Sequence, residues 1–234
     1  ANFADSTAIA VYSIGLQIDL LFISFGVAFS GVVVPKIYQL VRENATEELT
    51  ALWLKVGRYQ FYVVYFIWLG FLFLGKPFII LWAGSFYQDS YIVALLLMTP
   101  ALFHMCQNLA VEVLRAYDKH KIWTLVHLLS AVVGFLICIP LTKEYGILGV
   151  SVGTCITTFL VLNLYDNWYY AKYAGLDVFT FFRGLAKLFP AAFLCMLFSL
   201  LLSNVLIIIT WSDLLIAVCL YTLVYVGIMY FVGM

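Results

Sequence analysis

Charged residues are scarce in this chain. Lysine and arginine number 12 of the 234 residues, aspartate and glutamate another 12, and hydrophobic residues make up 65%. This composition excludes an ordinary soluble domain, in which about 25% of residues are charged. The formal net charge is zero and no basic patch occurs, so nothing indicates a nucleic-acid partner.

Residues that bind metals or catalyse reactions are also few. The chain has no C-x-x-C or H-E-x-x-H motif, no phosphate-binding loop and no Ser/His/Asp arrangement, so we predict no enzyme, catalytic residue, metal site or cofactor. All five cysteines lie in apolar stretches, which is typical of packing residues. They are Cys106, Cys138, Cys155, Cys195 and Cys219.

Alternation of apolar and polar residues is missing from the long hydrophobic runs, which excludes the strands of a membrane barrel. Runs that are apolar on all sides cross a bilayer as helices, and each crossing needs about 20 residues. The sequence therefore predicts an all-α, polytopic transmembrane bundle of about seven spans. The predicted spans are 8–34, 59–82, 91–114, 122–141, 147–165, 184–203 and 212–234.

The basic residues fall unevenly between these spans. One side holds Lys76 and Lys143 only. The other side holds ten: Lys36, Arg42, Lys55, Arg58, Arg115, Lys119, Lys121, Lys172, Arg183 and Lys187. By the positive-inside rule, the ten-charge side is cytoplasmic, the N-terminus of the chain is outside and the C-terminus is inside.

The segment 44–57 on the cytoplasmic side has a helical apolar pattern of its own. Asn44 followed by Glu47 is typical of a helix N-cap, and Leu49 and Trp53 then recur on one face. We predict a short amphipathic helix at the inner interface, after a first span that ends at Pro35.

Two polar residues lie deep in the first span. Asp19 and Gln17 are two residues apart, so they point to nearly opposite faces of a helix. Ionisable residues inside a bilayer are costly and commonly line substrate or ion pathways. Asp19 faces a polar lumen on one hypothesis, and is hydrogen-bonded between helices for packing on the other.

The third span is the most polar. His104, Asn108 and Glu112 follow i, i+4, i+8 spacing, Gln107 flanks them, and Arg115 can pair with Glu112. We predict that this stripe faces a water-filled path, with a bend at Pro100. An interfacial Glu112–Arg115 pair and hydrogen bonds between helices remain the alternatives. His127 is expected to lie at the interface, with a snorkelling side chain.

The chain begins at Ala1 and shows no signal-peptide pattern. Together with the odd number of spans, this led us to expect a piece of a longer protein, cut from the N-terminal side.

Four segments in series resemble a known family. They are VYSIGLQIDLLFISFGVAFSGVVVPKI, GKPFIILWAGSFYQDSY, AYDKHK and EYGILGVSVGT, and they cover about residues 5–165. Their order and spacing are similar to the C-terminal half of polysaccharide repeat-unit (Wzx-type, O-antigen) flippases, which belong to the multidrug/oligosaccharidyl-lipid/polysaccharide exporter superfamily.

The resemblance implies the second lobe of a two-lobed exporter in a bacterial inner membrane. The missing N-terminal lobe would be its partner, and a lipid-diphosphate-linked oligosaccharide would move from the inner to the outer leaflet by alternating access. One departure is that no lysine or arginine lies in mid-membrane to meet the diphosphate. Either the other lobe supplies such charges, or Arg115 and Lys119 do.

Two other functions fit the residues. A cation-coupled multidrug exporter of the same superfamily would use Asp19 and Glu112 as cation sites. An integral-membrane polymerase or ligase acting on the same lipid carrier needs a large outer loop, and the short predicted turns at 83–90, 142–146 and 204–212 argue against it.

Overall fold

The structure, a computed structural model, describes residues 6–232, apart from the side chains of residues 29, 30 and 204. Its first half is built from long helices. They are α1 (Ser6–Arg42), α2 (Thr46–Trp82), a 3-10 turn (Ser85–Tyr87), α3 (Ser90–Cys106), α4 (Leu109–Ala116) and α5 (His120–Tyr145).

The second half continues with α6 (Ile147–Phe159), which leads without a break through a π-helical turn (Leu160–Tyr165), α7 (Asp166–Tyr169) and a second π-helical turn (Tyr170–Ala174). The remaining helices are α8 (Val178–Ala186), α9 (Phe189–Val205) and α10 (Trp211–Phe231). Among residues 6–232 there is no β-strand, so the predicted all-α class is confirmed.

Five helices are long and apolar enough to cross a membrane by themselves. Two bent pairs, α3 with α4 and α8 with α9, raise the number to seven if each pair is counted as one span. The chain is therefore a multi-pass membrane protein. Residues 233 and 234, which the prediction placed in the last span, lie outside the described residues.

The connection between α1 and α2 differs from its prediction. Pro35 lies inside α1, which runs on to Arg42, because membrane helices tolerate proline where neighbouring groups compensate for the missing hydrogen bond. The segment 44–57 is not a separate surface helix but the first turns of α2. Leu49 and Trp53 are buried there, and the Trp53 ring stacks on Phe181 of α8 at 4.7 Å. Asn44 is not an N-cap: with φ of 53°, it ends α1 as a left-handed residue.

The bend in the third span is also displaced from its predicted position. Pro100 lies inside α3, and the chain turns by 55° after Cys106 instead. Backbone bonds of i→i+3 type, such as Gln107 N–H to His104 O at 2.9 Å, close this break. The break takes Glu112 off the helix axis that carries His104, so the predicted i, i+4, i+8 stripe is interrupted.

Helix α3 lies at the centre of the bundle, in contact with α1, α2 and α6. The helices α5 and α6 form a tight hairpin, because a Cβ on Gly149 would lie only 2.0 Å from the backbone oxygen of Leu141. The turns at 43–45, 117–119 and 175–177 lie at the same end of the bundle, which we name the basic end after its lysines and arginines.

Candidate functional site

A fully buried carboxylate stands at the centre of the candidate site. The π-helical turn Leu160–Tyr165 inserts an extra residue per turn just before Asp166, and such turns often occur at functional positions. Asp166 is 0% exposed. The Asn163 side chain, one turn earlier, donates to the Pro100 carbonyl at 3.0 Å and fixes this helix against α3.

Three side chains from two other helices approach this carboxylate. Trp123 Nε1 donates to Asp166 Oδ1 at 2.8 Å, and His127 Nε2 lies 2.9 Å from the same oxygen. His104 Nδ1 lies 3.3 Å from Asp166 Oδ2, at ion-pair distance but without the alignment of a hydrogen bond. The Trp123 and His127 rings are 4.0 Å apart. We name Asp166, Trp123, His127 and His104 the carboxylate cluster.

The carboxylate cluster connects α3, α5 and α7 through ionisable groups inside an apolar bundle. His127 is seven residues into α5, about 10 Å from its start at the basic end. A buried carboxylate is costly in a membrane unless polar groups surround it. Here Trp123 and His127 both contact Oδ1, whereas Oδ2 has no hydrogen-bond partner among the described residues. These contacts join the three helices at one buried point.

A cavity of about 260 Å³ opens beside the carboxylate cluster. Asp19 of α1 lines it together with His104 and His127, and Thr154 and Thr158 of α6 also line it. A second cavity of about 430 Å³ shares His127, Thr154 and Thr158 with the first. The two cavities adjoin among α1, α3, α5 and α6, and together they have room for several waters at about 30 Å³ each. Their walls are mostly apolar, and we name them together the polar crevice after the ionisable and hydroxyl side chains that they do carry.

Two buried polar atoms beside this crevice have no hydrogen-bond partner among the described residues. They are Asp19 Oδ1 and His104 Nδ1. Buried polar atoms are nearly always paired in proteins, so exceptions require water, an ion or a functional role. These two atoms belong to the groups that the cavity brings together.

The structure separates the predicted pathway residues into two sets. Asp19 is 8% exposed and His104 is 7% exposed, and both line the cavity. Gln17 is exposed on another face of α1. Gln107 is buried at the break after α3, and neither amide atom has a partner within the described part of the chain.

The rest of the predicted stripe lies away from the cavity. Asn108 precedes the first turn of α4. Arg115 Nη1 donates to Glu112 Oε1 at 2.6 Å, with side chains 52% and 16% exposed. This is the interfacial pair that was the alternative interpretation of the two residues.

Sequence reasoning missed Asp166 and misplaced His127. The segment after residue 165 is rich in aromatic residues, which are typical of a membrane interface, yet Tyr169 and Tyr170 in it are buried. His127 is not a snorkelling interfacial residue, because it pairs with Asp166. Polar Asn163 and Asp166, with Tyr170, follow i, i+3, i+7 spacing and could have indicated a buried polar face.

No protein-family model matches the chain, and no curated protein or solved structure matches it either.

Proposed function

We propose that this chain is part of a membrane transporter that moves a lipid-diphosphate-linked oligosaccharide between leaflets. The observation that carries the proposal is the polar crevice, where Asp19 lines the same cavity as Trp123, His104 and His127 of the carboxylate cluster within an apolar bundle. Ionisable side chains around a cavity are typical of transport pathways, because such groups are costly in a bilayer and do not stabilise a packed apolar core. The choice of substrate rests on the four-segment resemblance.

The mechanism we propose is alternating access against a second lobe, as the resemblance implies. The carboxylate cluster joins α3, α5 and α7 at one point, so a change in its contacts would alter how these helices pack. Asp19 on α1 lines the same cavity, and we propose that it contacts the transported ion or substrate there. The transporter is proposed to act in a bacterial inner membrane, with the basic end in the cytoplasm.

A cation-coupled drug exporter is the second candidate, and a specific observation favours it. The ionisable residues that line the 260 Å³ cavity are Asp19, His104 and His127, and no lysine or arginine lines it. An anionic or neutral wall suits a cation better than a diphosphate.

The experiment that tests the proposal deletes the gene that encodes this chain and follows lipid-linked oligosaccharide in the inner leaflet. We expect the oligosaccharide to accumulate there, and re-expression of the gene to clear it. Sensitivity to lipophilic cations with no change in the oligosaccharide would overturn the flippase proposal and support the drug exporter.

A further inference from the structure

A large groove at the basic end lies apart from the polar crevice. It has a volume of about 750 Å³ and runs between α2 and α8, beside the end of α10 at Val232. Its lining is basic and aromatic, unlike that of the 260 Å³ cavity. The side chains that give it this character are Lys55, Arg58, Lys187, Tyr59 and Tyr62.

The sequence places these side chains on the outer face of α2. Lys55, Tyr59 and Tyr62 recur at i, i+4 and i+7, which is one face of a helix. Gly57 and Phe61, on the other face of the same turns, are buried against the rest of the bundle. The groove shares no lining residue with the polar crevice, which no residue of α2 lines.

A glycine in α8 makes room for the arginine. A Cβ added to Gly184 would lie 3.6 Å from both Nε and Nη2 of Arg58, which is ordinary contact. Any longer side chain at 184 would extend into the guanidinium. Because residue 184 has no side chain, it does not cover the Arg58 guanidinium where both residues line the groove.

The three cations of the groove have no anionic partner. Within residues 6–232, no aspartate or glutamate lies at ion-pair distance from Lys55, Arg58 or Lys187. Two other basic residues of this end are in ion pairs, since Lys121 contacts Asp118 at 3.2 Å and Arg115 contacts Glu112. Three neighbouring cations around one concave surface make a site for an anion.

We propose that this groove binds the phosphate group of an anionic membrane lipid. Arg58 and Lys55 stand where α2 passes from its charged first turns into the apolar run that starts at Phe61, which is headgroup depth for a spanning helix. Guanidinium and ammonium groups bind phosphate oxygens by charge-assisted hydrogen bonds, and basic pockets between helices bind lipid phosphates. The proposal does not depend on the transported substrate.

The test titrates the detergent-solubilised protein with phosphatidylglycerol and counts bound lipid by native mass spectrometry. Phosphatidylcholine, a prenyl diphosphate and inorganic diphosphate are titrated in parallel. The variant carries Lys55→Gln, Arg58→Gln and Lys187→Gln together. A matched control carries Lys36→Gln, Arg42→Gln and Lys172→Gln, which removes the same charge from other exposed sites at this end.

We expect the groove variant to bind phosphatidylglycerol roughly a hundredfold more weakly, because each cation near an anionic lipid contributes a factor of about five. The control should stay within about twofold of the parent protein. Gly184→Leu should also weaken binding, whereas Gly184→Ala should not. The Gly184 pair leaves all charges in place and so separates lost binding from lost folding.

The parallel ligands identify the source of the phosphate. Saturable binding of phosphatidylglycerol identifies a structural phospholipid, and binding of the prenyl diphosphate alone identifies an isoprenoid carrier. Either result supports a lipid-phosphate site if the groove variant abolishes it. The proposal would be overturned if the groove and control variants lost lipid binding equally. It would also be overturned if inorganic diphosphate bound as tightly as either lipid.

Discussion

The carboxylate cluster and an aromatic seam on the other side of the bundle bury polar groups in opposite ways. The aromatic seam consists of Tyr65 and Phe66 on α2 with Tyr221 and Tyr225 on α10. Each of its three hydroxyls donates to a backbone carbonyl. The bonds run from Tyr65 to Ala192 at 3.0 Å, from Tyr221 to Phe66 at 2.7 Å and from Tyr225 to Tyr62 at 2.7 Å.

The two regions differ in charge and in whether their polar atoms all have hydrogen-bond partners. The aromatic seam uses neutral hydroxyls, and its rings stack directly, as Phe66 and Tyr221 do at 5.0 Å. The carboxylate cluster combines a carboxylate with two imidazoles and an indole, and it leaves His104 Nδ1 without a hydrogen bond beside an open cavity. A saturated neutral network fixes helices, whereas an incomplete ionisable network can change state. We therefore treat the seam as structural and the cluster as functional.

The largest expected effect is at Asp166. Asp166→Ala should lower the free energy of unfolding by roughly 3 kcal/mol, because Trp123 and His127 lose a buried partner at once. Thermal unfolding in detergent measures this. Asp89→Ala is the control, since that aspartate is exposed and makes no side-chain cap hydrogen bond. An equal loss of stability there would show that the buried cluster contributes nothing beyond an exposed carboxylate.

The second effect is on transport at Asp19. Asp19→Asn keeps the shape of the side chain but not its charge, so we expect at least about a tenfold loss of oligosaccharide export, or about 1.4 kcal/mol. Complementation of the gene deletion measures export, and a melting curve checks that folding is unchanged. Gln17→Ala, on an exposed face of the same helix, is the control. Unchanged export in Asp19→Asn would reject any coupling or substrate role for this residue.

A smaller effect is expected in the aromatic seam. Tyr221→Phe removes one hydroxyl-to-carbonyl bond, which averages about 0.6 kcal/mol between membrane helices. Stability should fall by about that amount while export stays normal. Tyr230→Phe, at a 60% exposed position, should change neither quantity. Export lost in Tyr221→Phe without a loss of stability would contradict the structural role of the seam.

The smallest effect is expected at Asp177, which belongs to neither region. Hydrogen bonds from the Thr180 hydroxyl and backbone N–H, at 2.5 and 2.9 Å, lower the pKa of this exposed N-cap carboxyl below its usual range. A folded-state pKa below the unfolded one stabilises at pH values above the unfolded pKa, near 4.

That contribution disappears as the pH falls through the folded pKa. The parent protein should therefore lose a little stability below about pH 4, and Asp177→Asn should remove that pH dependence. Export at neutral pH should be unchanged in the variant. Melting curves at several pH values test this. A variant with the same acid dependence as the parent would show that the cap does not contribute.

Hydropathy was sufficient to predict the class of the fold but not where the helices break. All-round apolar runs must be helical in a bilayer, and this holds for every run that the structure describes. The bend predicted at Pro100 lies elsewhere, because Pro100 is inside α3 and the 55° turn of the chain follows Cys106. The break instead falls at Gln107 and Asn108, whose backbone N–H groups donate to the carbonyls three residues earlier.

For the site, the sequence singled out Asp19 and His104, because ionisable residues at mid-span stand out against an apolar background. It did not identify Asp166, which lies 39 residues from His127 and among aromatic residues typical of an interface. Its burial depends on a π-helical turn and on how α7 packs against α3 and α5. The basic groove was missed for a related reason, since Lys187 joins Lys55 and Arg58 only across helices.

The sequence by itself determined that this chain crosses a membrane several times as helices, because backbone groups in lipid must be satisfied within each run. It also determined the uneven distribution of basic residues between the two ends. Only the tertiary structure decided which polar residues meet. Helix packing fixes distances between residues far apart in the chain, and so it placed Asp166 within reach of His104 and His127 and left Glu112 with Arg115.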